Sequence, residues 1–431
     1  MKTECIRLTD THTGDTCLRI RHQSGLEIRI MEMPGFSTSY AQFGVKFGSV
    51  HTCFRQSDCE TVTSVPDGTA HYLEHKLFEN GEHADALKDF SRLGAADNAY
   101  TDWDRTVYHF HTQRNFGAAL AVLLDFVRKP FFTQDSIDRE RPIIVQEIYE
   151  CEDDPADQVF LQMLKGLYHQ HGIRMNVLGT AESIAAITPD TLYQCHRAFY
   201  RLQNMVLCCA GNVSAQEILE IADRLLLPEP PAQTLLCPPQ EPETVASAFL
   251  SRSMPVGKTM FCIGFKSSPV PETEQMRESI LALMAADLLA GEVSPLHRRL
   301  LTEGLINDTF CTDCCIGSDW FTVYAEGESD DPQAVRDALL AEIEHMKQTG
   351  PDHERFEALR RAAYGDAVLS MNDPGKACDI LLESYMAGGS SPFARTDILA
   401  SLRPEDISEC LQKRFCADQI CLSVITPDEQ S

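Results

Sequence analysis

The residues with chemistry to offer concentrate in one short stretch. His71-Tyr72-Leu73-Glu74-His75 follows the turn-forming Pro66-Asp67-Gly68 and opens a segment with helical periodicity. On an α-helix, side chains four residues apart leave from the same side, so His71 and His75 can offer two imidazoles to a single ion. Glu74 lies about 60° around the axis from His71, on the metal-facing side. From there its carboxylate reaches a water on the ion without being a ligand. This H-x-x-E-H order is the reverse of the commoner H-E-x-x-H, and both set a carboxylate beside a histidine pair. The competing reading is two surface histidines on an amphipathic helix, which requires nothing further. A catalytic zinc requires a third protein ligand and an open position.

Arg139-Glu140-Arg141-Pro142-Ile143-Ile144-Val145-Gln146-Glu147 supplies two candidates for that ligand. Glu140 and Glu147 are two helical turns apart and face the same way, so one can ligate while the other orients a histidine from behind. The spacing alone does not choose between them, and the acidic run that follows also suits a solvated face. Pro142 is tolerated in the first turn of a helix, which predicts a start near Asp138.

These residues need a scaffold. A chain of 431 residues exceeds what one hydrophobic core usually serves and implies two domains. The dense prolines from Pro228 to Pro242 forbid helix and central strand, which predicts a linker over 228–245 between an N-terminal domain, 1–227, and a C-terminal domain, 246–431. In the first half, strands are expected at Leu26 to Met33, Ser39 to Phe47, Tyr100 to Phe110 and Met205 to Ala210, with helices through Leu77, near Phe116 to Val127 and around Arg139 to Cys151. The second half repeats the order with a strand at Thr259 to Phe265, a helix at Met276 to Leu289 and a strand around Trp320 to Ala325. The expected class is α+β: two tandem, similar αβ domains, each a largely antiparallel sheet with helices packed on one face.

Composition excludes several functions. A formal charge of −27 argues against nucleic acid as a partner, because phosphate binding needs a concentrated basic surface. No apolar run approaches the roughly 20 uncharged residues of a membrane span, and the N-terminus has no secretory core segment, so no membrane association and a cytoplasmic address are expected. Seventeen cysteines in such a chain read as reduced thiols. The Cys311-Thr312-Asp313-Cys314-Cys315 cluster lacks the second pair that a structural zinc requires. His109 and His111 alternate on a strand and are expected to be structural; His169 and His171 read as helix-end caps.

The H-x-x-E-H helix, followed by Arg139-Glu140, six residues and Glu147, resembles the insulinase or pitrilysin family of zinc peptidases. The resemblance extends over most of the chain. It implies one zinc ion held by His71, His75 and Glu147, Glu74 as general base, Glu140 behind the ligands, and metal-assisted hydrolysis of peptide bonds. Asn98-Ala99-Tyr100-Thr101, with Thr106 to Phe110, is similar to the family's edge strand. On that likeness Asn98, Ala99 and Tyr100 would pair with the backbone of a peptide substrate. Leu178-Gly179-Thr180 also resembles a family segment.

The second half has no H-x-x-E-H. In the family, that half or a partner chain commonly contributes an Arg and, seven residues later, a Tyr. Here those positions carry Leu300 and Asn307, with Arg298 and Arg299 nearby. This departure resembles the metal-bearing member of bacterial two-chain enzymes and implies a heterodimer whose zinc-less homologous partner supplies the missing pair. Tyr72-Leu-Glu-His-Lys-Leu-Phe-Glu79 and Val65-Pro-Asp-Gly68 resemble the subgroup associated with elongation factor P aminopentanol modification. Two rival functions are a non-catalytic peptide-binding or assembly subunit and a zinc hydrolase of small molecules.

Overall fold

The strand signals of the first half assemble into a seven-stranded sheet and those of the second half into a five-stranded one. The computed structural model describes residues 3–57, 60–79, 86–230 and 233–428. Two compact units emerge: Met1–Ile148 with Asn176–Pro238 and Val368–Phe393, and Tyr149–Met175 with Pro239–Ala367 and Ala394–Ser431.

In the first unit the sheet runs Glu4–Thr9, Thr16–Arg21, Glu27–Glu32, Met205–Gly211, Ser39–Val45, Thr106–Thr112, Ala95–Thr101. Only the Glu27–Glu32 and Met205–Gly211 pair is parallel. Ile28, Ile30, Ala41, Phe43, Leu207 and Cys209 point from its inner face into a core shared with the helices Thr69–Leu77, Phe116–Phe126, Gln134–Asp153 and Pro189–Phe199. The opposite face is covered by the helix Pro374–Met386, whose Ala377, Leu381 and Leu382 lie on Val206, Cys208 and Ala210. Buried Arg29 donates to the Ser390 carbonyl and to Ser384, pinning that helix's end.

The second unit's sheet runs Phe249–Met254, Ile420–Pro427, Met260–Lys266, Phe321–Glu328, Cys311–Ile316. Numbered along the chain, its strands lie in the order 1-5-2-4-3. So do the last five strands of the first sheet, counted from Glu27–Glu32, and in both the first and fifth strands are parallel. The duplication expected from pattern is thus present as topology. The helix Pro155–Leu167 covers one face of this second sheet. Each sheet receives its covering helix at a glycine of strand 2. A Cβ on Gly44 would come within 2.6 Å of Leu382 Cδ1, and one on Gly264 within 2.2 Å of Met163 Sδ.

The units are therefore not the contiguous stretches 1–227 and 246–431. Pro155–Leu167 packs in the second unit and Pro374–Met386 in the first, because each buries its apolar stripe on the outer face of the other half's sheet. Other boundaries shift for local reasons. Tyr100 to Phe110 is a hairpin rather than one strand, turning where the Asp102 amide donates to the Arg105 carbonyl at 2.8 Å. The proline-rich segment 228–245 is more than a linker. Thr234–Leu236 pairs with Cys53–Gln56 in a three-stranded sheet; residues 231 and 232 lie outside the described residues. Pro142 lies inside the helix Gln134–Asp153, not in its first turn, so the Asp138 carbonyl forgoes its helical partner. No single helix among the described residues is long and apolar enough to cross a membrane.

Candidate metal centre

Gly68 starts the site. It caps the helix Thr69–Leu77 at φ 84°, a left-handed conformation open to glycine, and passes so close to Leu178 that a Cβ would lie 2.3 Å from that residue's carbonyl oxygen. The helix is anchored by Tyr72, fully buried, whose hydroxyl donates to the Ile137 carbonyl at 2.7 Å. That bond ties the histidine-bearing helix to Gln134–Asp153, the helix that carries Glu140 and Glu147.

The two histidines, their rings 4.6 Å apart, present Nε2 atoms toward one carboxylate. His71 Nε2 lies 3.7 Å and His75 Nε2 3.5 Å from Glu147 Oε2. Among the described residues, His71, His75 and Glu147 are the one group of three His, Cys, Asp or Glu whose donor atoms all fall within 4.8 Å of one another. A tetrahedral zinc with bonds of roughly 2.0–2.1 Å spaces its ligand atoms about 3.3 Å apart, so small side-chain adjustments would close this set on an ion.

Glu140 Oε1 lies 3.0 Å from His75 Nδ1. Since a carboxylate accepts, Nδ1 carries the hydrogen, and in the neutral ring Nε2 then holds the lone pair that a metal takes. The bond to His75, with the charge of Lys76, holds the Glu140 carboxyl below its usual range against the opposing effect of burial. Burial, reinforced by His75, pushes His71 down to about 3, which leaves its imidazole neutral. On His75 burial works in the same direction, but Glu140, Glu147 and Glu74 outweigh it and raise the value.

Glu74 follows Leu73 into a site where it is only 7% exposed. Burial raises its pKa, while a hydrogen bond from Thr101 Oγ1 to Oε2, at 2.5 Å, favours the ionised form. Thr101 ends the strand Ala95–Thr101, which lies at the edge of the sheet and, among the described residues, pairs only with Thr106–Thr112. Asn98, Ala99 and Tyr100 are on that strand; Tyr100 is 39% exposed, and Asn98 Oδ1 accepts from the Ala99 amide.

The other residues singled out by type go elsewhere. His111 stacks on Tyr40 and His109 meets Tyr100 edge-on. His171 opens the turn Gly172–Arg174, its Nδ1 accepting from the Ile173 amide, whereas the helix Pro155–Leu167 ends at Tyr168, so, contrary to expectation, His171 does not cap that helix end. Cys311, Cys314 and Cys315 sit on the edge strand of the second sheet and belong to no metal-ligand group among the described residues. Leu300 is fully buried in the second unit's core, Asn307 donates to Glu328, and Arg298 and Arg299 are exposed. Sequence reasoning missed Thr101 and Lys76 as partners of the site, although both lie in stretches it quoted. A hydroxyl or an ammonium carries no motif; only the hairpin and the helix packing bring them to Glu74 and Glu140.

Comparison with known proteins agrees with this architecture. A family model described as "Insulinase (Peptidase family M16)" matches residues 63–181, and "Peptidase M16 inactive domain" matches 186–363. The chain belongs to the insulinase family, peptidase family M16. A Bacillus subtilis protein named "Uncharacterized zinc protease YmfH" is 28% identical over 96% of this chain and 97% of its own. A Schizosaccharomyces pombe protein named "Probable mitochondrial-processing peptidase subunit beta" is 29% identical over 47% of this chain and 43% of its own length. Among solved structures, an M16-like peptidase from Alicyclobacillus acidocaldarius superposes with a TM-score of 0.91 at 26% identity, covering 99% of both chains.

Proposed function

We propose that this chain is a zinc-dependent endopeptidase acting on extended peptides or small unfolded proteins, and that it is the catalytic member of a heterodimer. The observation that carries the reading is the convergence of His71 Nε2, His75 Nε2 and Glu147 Oε2 within 4.8 Å beside a buried, hydrogen-bonded Glu74. Zinc bound there would polarise a scissile carbonyl and acidify a water.

The chain's own groups do the remainder. Glu74, its Oε2 held by Thr101, takes the proton of the attacking water on its other oxygen and returns it to the leaving amine nitrogen. Glu140 fixes His75 in the tautomer that offers Nε2. The edge strand Ala95–Thr101 receives the substrate backbone as an added strand through Asn98, Ala99 and Tyr100, which selects extended chains with little regard to sequence. Because the hydroxyl of Thr101 reaches the base, that strand would deliver the peptide next to Glu74.

The heterodimer rests on Leu300 and Asn307, which cannot hold a substrate as Arg and Tyr do, and on relatives named as subunits of a mitochondrial-processing peptidase. A zinc-less homologous chain would supply that pair; the exposed Arg298 and Arg299 would do so in a homodimer. A second reading, a non-catalytic assembly subunit, draws on the "inactive domain" match over residues 186–363. Zinc content and cleavage of an unstructured quenched peptide, measured with and without a co-expressed zinc-less homologue, separate the readings. Zinc uptake with turnover supports the peptidase, and a folded chain that binds no zinc overturns it.

A further inference from the structure

Lys76 follows directly after His75, and its side chain is fully buried. An ammonium taken out of water is costly unless paired, so a lysine here needs an account that an apolar side chain would not. Its Nζ lies 2.8 Å from Glu79 Oε2, three residues on, and 3.7 Å from Glu140 Oε2. Arg139 approaches the same Glu79 oxygen at 3.8 Å. The other oxygen of Glu140, Oε1, faces His75 Nδ1 at 3.0 Å. The two oxygens of one carboxylate are thus divided between an ammonium and an imidazole.

A carboxylate held at one oxygen can swing about its terminal torsion, which is soft. With its second oxygen 3.7 Å from an ammonium, it cannot turn without parting an ion pair in a poorly solvated place. Glu140 is 14% exposed on its side chain, so water offers Lys76 and Glu140 little substitute for each other.

We propose that Lys76 is a positioning residue for the metal centre: by holding Glu140 Oε2, with Glu79 as its own anchor, it fixes the carboxylate that aims His75 Nε2 at the ion. The inference rests on the zinc-site reading above and deepens it. It also explains the Lys76-Leu77-Phe78-Glu79 stretch, since an i,i+3 ion pair at the helix end steadies an ammonium that must lie inside.

The test uses the full-length chain and reads zinc affinity by competition with a chromogenic chelator, alongside the thermal midpoint of the zinc-free protein. Lys76→Met is expected to weaken zinc binding by about ten- to a hundredfold, the range for residues that orient a metal ligand from behind. Lys76→Arg, which keeps the charge, recovers part of that loss. In a Glu140→Gln background the same Lys76→Met change shifts affinity by no more than roughly twofold, because the carboxylate it acts on has gone. That comparison remains readable if the single variant folds poorly, since the buried pair is removed together. Lys76→Met with the affinity of the parent chain, or an equal loss in both backgrounds, overturns the proposal while leaving the zinc site standing. A parent chain that takes up no zinc overturns the site reading itself, and this inference with it.

Discussion

Thr101 Oγ1 donates to Glu74 Oε2 at 2.5 Å, so the last residue of an edge strand holds the buried carboxylate proposed above as the base. Thr106, opposite Thr101 in the hairpin, donates its own hydroxyl proton to the Phe47 carbonyl at 2.8 Å and is committed there. Removing the Thr101 hydroxyl leaves a buried carboxylate oxygen without that donor and free to rotate. Thr101→Val is expected to lower kcat by about ten- to a hundredfold with little change in zinc content, and Thr101→Ser to restore most of it. Steady-state kinetics of the two variants, with metal analysis, decides the matter; equal activity in Val and Ser forms would refute the positioning role.

Glu74→Gln keeps the shape of the side chain and removes its basicity. Turnover should fall by about a hundredfold to ten-thousandfold while zinc stays bound, because Glu74 is not among the three converging ligand atoms. Single-turnover assays on protein of known zinc content measure this. Persisting activity would assign the base to another group.

Glu147→Gln and His71→Ala are expected to abolish stoichiometric zinc, whereas Glu140→Gln weakens it by about ten- to a hundredfold and leaves the ligand set intact. Chelator competition distinguishes the two classes. If Glu140→Gln lost zinc as completely as Glu147→Gln, the assignment of ligand and orienting carboxylate would have to be exchanged.

The second unit contains an acid-sensitive support. Burial alone would raise the pKa of Glu241, but a bond from Lys266 at 2.7 Å and the amides of His169, Gln170 and His171 hold it at about 2, against an ordinary value of 4.5. A value lowered on folding means stability that is present in full above the unfolded value and is lost as pH falls from about 4.5 toward about 2. Glu241→Gln should cost on the order of 2–3 kcal/mol at neutral pH and flatten the acid limb of the stability curve. Urea melts at several pH values would show it, and a mutant curve parallel to the parent's would rule it out.

Gly264 sits where a Cβ would lie 2.2 Å from Met163 Sδ and 2.8 Å from its Cγ. Gly264→Ala is therefore expected to destabilise the fold by ~1–3 kcal/mol through overpacking. A thermal midpoint equal to the parent's would mean that Met163 yields without strain.

The H-x-x-E-H stretch was legible because the α-helical period is a local property. Spacing alone sends His71 and His75 to one side and sets Glu74 beside them, whatever surrounds the helix. The same locality made Gly68 readable as a turn and Phe116–Phe126 as a helix. The duplication was also visible, since the strands around Phe43 and Ile263 alternate or run apolar in like order. By itself the sequence left Glu140 and Glu147 equivalent, two turns apart on one helix face. Packing separates them, placing Glu147 Oε2 against both Nε2 atoms and Glu140 behind His75, because Tyr72 fixes how the two helices lie against each other. Neither could the sequence assign Pro155–Leu167 and Pro374–Met386 to the opposite half's sheet. An apolar stripe states that a helix must be covered, and only the fold states by what. Thr101 and Lys76 belong to the same class: their roles depend on which carboxylate the tertiary structure brings within reach.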